Sequence, residues 1–469
     1  MFSRVSPTFL AAFLTATIAF FLFLGVNGGL IFFFDSWGYF GGAEVLFKHL
    51  RGVDLTGGLS FLGRSIYYGL LMQWELRHAP FAPVQILSTA HMLALAADVM
   101  LGRDRPWVAA VITAVVALLT PLPFFVINAM PDVYTGLAVL GVALVLVYGE
   151  RMSRVQRAGA VTVMILAVLF HQTHLILVGG FVAIALLGFA ALGLSRRIKR
   201  LKPFTVRLVP LVIVVLAGIG GDVAFRVGME GIQGEAPMRR PFILGRMIAD
   251  GPGYRYLKAN CPEEGWVMCD HMQNLPINID WFLWSAHPDR RVYTAMTRAE
   301  RRQLEQEEFT LVGRIIAAEP GAVLASAGHN WQRQLDMFTV EDFYYGQMVP
   351  GIEKNFGPLA GDIRAQRIVT SKPLLASLSR LQLWIVYGAL VGILCLSIRP
   401  RDGGGEDDRL FRLFAGLLVC GLLMNGALCG MLSEPHHRYQ ARVIWLLPYA
   451  AMLYGALWWR WRRRMGISA

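Results

Sequence analysis

The chain has 469 residues, of which 55% are hydrophobic and only 16% charged; a soluble globular protein carries about 25% charged residues. Lys and Arg outnumber Asp and Glu by 44 to 32, a net charge of +12, but much of this excess sits in short runs between long apolar stretches. That is the pattern of membrane topology rather than of nucleic-acid binding, and it excludes disorder, a coiled coil and a water-soluble enzyme.

A spanning helix needs roughly 20 mostly apolar residues. On that basis the expected spans of this all-α protein are 9–34, 82–101, 107–127, 133–149, 158–172, 175–194, 208–226, 379–398, 410–431 and 441–459. The first apolar run is too long for a cleavable signal peptide. With about ten spans, one set of connections collects Arg103 and Arg105, Arg151 to Arg157, Arg196 to Lys202, Arg399 to Arg412 and Arg460 to Arg464. The positive-inside rule makes that side cytoplasmic, together with both termini. No Asn-x-Ser/Thr sequon occurs, which favours a bacterial inner membrane over the endoplasmic reticulum.

The expected organisation is an N-terminal membrane module of seven spans (1–226) with a first external loop at 35–80, a mainly helical periplasmic domain (227–378) and a C-terminal module of three spans (379–469). Within the loop, Leu59–Arg77 is amphipathic and can lie in the interface, with Tyr67, Tyr68 and Trp74 as anchors. In the large segment, Thr297-Arg298-Ala299-Glu300 reads as a capping box opening a helix to about Ala318. Pro320 starts another, ending near Phe338, and Asn260 to Trp284 reads as loop. Cys261 and Cys269 fall on the side where a disulfide persists; two buried thiols or, with only His271 nearby, zinc are the alternatives. Cys395, Cys420 and Cys429 lie within spans and read as packing.

Charges at span ends are costly and need a reason. Asp35 ends the apolar run Leu30-Ile31-Phe32-Phe33-Phe34, a setting that can tune a carboxylate into a general base; the alternative is an Asp marking the helix end. Asp132, after Pro131 in the second external turn, suits either a site or the N-terminus of the next helix, where its charge is favoured by the dipole. His171 and His174 in the third turn can shuttle a proton, contact a phosphate or form an interfacial hydrogen-bonded pair. The last external turn, Glu434-Pro435-His436-His437-Arg438-Tyr439-Gln440-Ala441-Arg442, concentrates imidazoles and guanidiniums, and Arg suits phosphate recognition. Interfacial anchoring is its alternative. Arg64 in the first loop can add positive charge.

These turns, with an acid at the end of the first span, resemble the GT-C class of integral-membrane glycosyltransferases, such as bacterial aminoarabinose transferases and protein mannosyltransferases. The matching residues are Asp35, followed by Ser36 and Tyr39; Pro131-Asp132 in the second turn; and Arg438-Tyr439 before a last apolar helix containing Pro448. The resemblance implies transfer of a sugar from a polyprenyl-phosphate-type lipid-linked donor to a periplasmic glycan, lipid or protein acceptor. It implies Asp35 as the catalytic base, with Asp132 orienting the acceptor or sharing that role, and Tyr39, Arg438 and Tyr439 at the substrate; the charged turns add Arg64, His171, His174, His436 and His437 to the expected substrate-binding groups. Family members often carry Asp-Glu or Asp-x-Asp in the first loop, whereas this chain has Asp35-Ser36 with Glu44 the next acid. A metal-free mechanism with no cofactor is therefore expected, with the membrane and no nucleic acid among its partners. Three other readings compete: an O-antigen-ligase- or polymerase-like enzyme, which would centre on His329-Asn330; a lipid or solute transporter, against which the lack of an internal repeat counts; and a non-catalytic scaffold whose external domain binds a partner, which leaves the polar clustering at four turns unexplained.

Overall fold

The computed structural model of the protein describes residues 5–52, 65–194, 202–398 and 405–464. They are helical throughout, with no strand among them and a single isolated parallel bridge between Ile31 and Asn128. In chain order the helices are α1 (Pro7–Asn27), α2 (Ser36–Leu50), α3 (Ile66–His78), α4 (Pro83–Leu101), α5 (Pro106–Leu119), α6 (Leu122–Val126), α7 (Val133–Tyr148), α8 (Arg154–Phe170), α9 (Gln172–Leu194) and α10 (Lys202–Gln233). There follow α11 (Phe242–Ala249), α12 (Pro252–Asn260), α13 (Ile279–Trp284), α14 (Arg298–Ala318), α15 (Pro320–Asp336), α16 (Val349–Phe356), α17 (Lys372–Ile398), α18 (Gly405–Leu432), α19 (His437–Ile444) and α20 (Leu446–Arg464).

Every expected apolar segment contains helix, but among the described residues six helices are long and apolar enough to cross a membrane: α1, α4, most of α10, α17, α18 and the run through α19 and α20. α5, α7 and the first part of α9 are apolar but shorter. The expected third span breaks at Thr120-Pro121, where proline cannot continue the hydrogen-bond ladder. α1 stacks on α4 and α5 through the buried small residues Ala12, Ala16 and Ala19, which let helix backbones approach closely.

The first span ends earlier than its hydropathy predicts. Gly28, at φ +90°, stops α1 after Asn27, and 28–34 continue as non-helical chain. Three contacts fix that stretch. Asn27 and Gln366 hydrogen-bond to each other, and Gln366 Nε2 donates to the Leu30 carbonyl at 2.8 Å. Ile31 exchanges backbone bonds with Ile127 and Ala129. The Phe32 N–H donates to the Tyr345 hydroxyl at 2.8 Å. Asp35 thus hangs from a non-helical segment tied to both the turn at 127–129 and the segment holding Tyr345 and Gln366.

The segment 227–378 does not form one packing unit. Residues from Leu244 to Ile315 build a core of their own, around Ile248, Phe282, Leu283, Leu304 and Leu311. Phe338 to Val369 instead join the main core of the membrane helices. The capping box at Thr297 and Glu300 opens α14 as predicted. The stretch expected as loop holds a 3-10 helix at Val267–Asn274 and also α13. Cys261 and Cys269 form a disulfide, so the free-thiol and zinc alternatives fall away. Of the expected interfacial anchors, Trp74 is half exposed but Tyr68 is not an anchor at all. Its ring packs edge-on against Tyr39 and Phe170, and its hydroxyl donates to Gln85 Oε1.

Candidate functional site

α19 is a short amphipathic helix at the mouth of the last span, and it places Arg438 and Arg442 one turn apart on one face. Its first turn is capped from a distance: the Arg438 N–H donates to Asp342 Oδ2 at 2.9 Å, a carboxylate favoured by the helix N-terminus. Thr339, just upstream, holds His437 Nδ1 at 2.8 Å. The segment 339–345 therefore grips α19 through Thr339 and Asp342 and the chain before Asp35 through Tyr345.

Each of the two arginines meets one of the two expected acids. Arg438 Nη2 lies 2.6 Å from Asp35 Oδ2, an ion pair closing a sequence separation of 403 residues. The same nitrogen donates to the Tyr439 hydroxyl at 3.1 Å, and Nη1 reaches Met130 Sδ at 3.6 Å. The guanidinium also lies over the Phe33 ring, 4.3 Å from its centroid, where the ring quadrupole favours a cation. Arg442 Nη1 lies 2.7 Å from Asp132 Oδ1, while its Nη2 donates to Asn425 Oδ1 at 3.0 Å and to Cys429 Sγ at 3.3 Å. Tyr439 sits beside both guanidiniums, 4.8 Å and 5.4 Å from its ring centroid.

The two pairs differ in access. The side chains of Arg442 and Asp132 are 2% and 3% exposed, whereas those of Arg438 and Asp35 are 8% and 20% exposed. The inner pair is sealed, with Asp132 Oδ2 and Arg442 Nε buried and lacking partners. The outer pair borders accessible space. Asp132 takes the position before α7 but makes no side-chain cap bond; its carboxylate goes to Arg442 instead.

The remaining expected residues are distributed around this core. His437 is turned to Thr339. His436 Nε2 lies 3.2 Å from Asp280 Oδ2 of α13, and its ring is edge-on to Tyr439 at 5.5 Å. His174 is fully buried, bound to Thr135 Oγ1 at 2.7 Å and the Ala167 carbonyl at 2.8 Å. It packs beside His171, whose Nδ1 bonds Thr173. Tyr39 is fully buried, its ring edge-on to Tyr68. Arg64 lies outside the described residues. His329 is exposed, while its neighbour Asn330 donates to Asp250. Among the described residues no group of three or more His, Cys, Asp or Glu side chains is placed to hold a metal ion.

Sequence reasoning did not select Arg442, Asn425 or Asp342 as site residues. The spacing of four between Arg438 and Arg442 was available as a signal; nothing local marks Asn425 or Asp342. Nor did it select Glu75. This α3 carboxyl is buried, accepts from the Val84 N–H at 3.0 Å, and is pushed up to about 7 by burial. Comparison with known proteins finds no matching family model, no matching curated protein and no matching solved structure.

Proposed function

We propose that this protein is a glycosyltransferase of GT-C type, crossing a bacterial inner membrane about ten times, that moves a sugar from a polyprenyl-phosphate-type carrier to an acceptor at the periplasmic face. One observation carries this reading: an acid of the first external segment, Asp35, meets an arginine of the last external turn, Arg438, at the edge of accessible space. A base beside a phosphate-binding guanidinium is what the transfer requires.

In the proposed reaction the acceptor hydroxyl or amine attacks the anomeric carbon and its proton goes to Asp35. The bond from that carbon to the phosphate oxygen breaks on the opposite face, with inversion. The electron pair leaves with the lipid phosphate, whose charge Arg438 stabilises, with the Tyr439 hydroxyl beside it. Asp132 and Arg442 form the buried footing that holds α19 against α7.

The test is transfer of radiolabelled sugar from a panel of polyprenyl-linked donors in membranes carrying the wild type or Arg438→Gln. Transfer by the wild type, lost in the variant at normal expression, is the expected result. Donor turnover that is unaffected by Arg438→Gln rejects the proposed phosphate site.

A further inference from the structure

An arginine already paired with a carboxylate is a poor free anion receptor, and a carboxylate paired with an arginine is a poor base. Asp35 and Arg438 are in that state, 2.6 Å apart. We propose that this pair is an exchange latch: a phosphate ester binding at Arg438 displaces Asp35, so the base is released only when the donor's phosphate is seated. This inference rests on the reading of Arg438 as the phosphate site and adds how that site is regulated.

Three observations carry it. First, the Asp35 carboxylate is 20% exposed and the Arg438 guanidinium 8%, against 3% and 2% for Asp132 and Arg442, so an anion entering beside Asp35 meets Arg438 before Arg442. Second, the guanidinium does not depend on Asp35 for its position. Phe33, Tyr439 and Met130 hold it, and its backbone is fixed through Asp342, so it stays in place when the carboxylate leaves. Third, Asp35 sits just before α2 at the end of the tied segment 28–34, so a change of its side-chain rotamer needs no helix to move. Exchange of one anion for another conserves charge around Arg438, which avoids leaving a buried guanidinium uncompensated. The latch also keeps the base occupied in the absence of a donor.

The competing carboxylate gives an unusual expectation. Asp35→Asn removes the internal competitor and should bind a phosphate ester more tightly, by roughly ten- to a hundred-fold for one charge-assisted bond no longer displaced. The probe is dodecyl phosphate, titrated by calorimetry into the full-length protein in dodecyl maltoside. Arg438→Gln should lose binding. If Asp35→Asn binds the probe no better than wild type while Arg438→Gln abolishes binding, the phosphate site stands and the latch is overturned. If Arg438→Gln binds like wild type, the phosphate site itself is wrong and the latch falls with it. A measurement on the wild type alone covers the case in which Asp35→Asn does not fold. Infrared difference spectra on adding dodecyl phosphate should show a carboxylate band shift, and saturation with no such shift overturns the latch.

Discussion

The inner ion pair gives the sharpest stability prediction. Asp132 and Arg442 are 3% and 2% exposed, and Nη1 of the guanidinium lies 2.7 Å from the carboxylate. Asp132→Asn keeps an oxygen near that nitrogen but removes the charge. Arg442 is then left with Asn425 and Cys429 as buried partners and no counter-charge. Removing one member of a buried pair costs about 3–5 kcal/mol, whereas replacing both by apolar residues of similar volume is often close to neutral. Asp132→Asn should therefore lose about 3–5 kcal/mol, and Asp132→Leu combined with Arg442→Met should lose clearly less. Asp35→Asn, on the more exposed pair, should lose only about 1–3 kcal/mol. Unfolding in mixed dodecyl maltoside and dodecyl sulfate micelles, followed by circular dichroism, orders the variants. The reasoning is refuted if Asp132→Asn falls within about 1 kcal/mol of wild type, or if the double variant is no better than the single one.

Other tests address different parts of the fold. Glu75 ionises at about 7 when folded, against 4.5 in the reference state. As pH rises from 4.5 to 7 the unfolded chain gives up this proton while the folded one keeps it, so stability falls across that window, by about 3 kcal/mol in total, and is flat above it. Glu75→Gln, which can still accept from Val84, should flatten that part of the pH–stability curve; an unchanged curve counts against a buried neutral acid. A Cβ on Gly136 would come within 2.8 Å of the Arg442 carbonyl and the Trp445 indole nitrogen. Gly136→Ala should thus push α19 from α7, costing about 1–3 kcal/mol and lowering transfer, read in the same unfolding and donor assays. Loss of the disulfide that joins Cys261 and Cys269, eight positions apart, should cost about 2.5 kcal/mol by the loop-entropy relation. Unfolding of the double Ser variant checks this, and alkylation should label those two cysteines only after reduction.

Hydropathy made the helical segments legible because burial in lipid demands long apolar runs, and the capping box fixed the start of α14 because its two bonds are local. It misplaced the end of α1. Leu30 to Phe34 are as apolar as the helix before them, and Gly28 with the distant partners Ile127, Ala129, Gln366 and Tyr345 decides that this stretch is not helical. The same limit applies to the candidate site. Asp35, Asp132 and the Arg438 cluster stood out as charges at span ends, but their pairing depends on contacts across most of the chain. Tyr39 shows the converse: the resemblance implied a substrate-binding group there, whereas α2 buries it against Tyr68. The division of 227–378 between two cores left no mark in composition, because both halves mix apolar and charged residues alike.

The proposed role of Asp35 is to take the acceptor's proton during sugar transfer. Its most direct measurement is single-turnover transfer of labelled sugar from a polyprenyl-linked donor, consumed by the wild type, compared with Asp35→Asn purified in folded form. The expected result is a loss of at least about a hundred-fold, the usual contribution of a general base, with the donor still bound. Transfer by Asp35→Asn within a few-fold of wild type would contradict it.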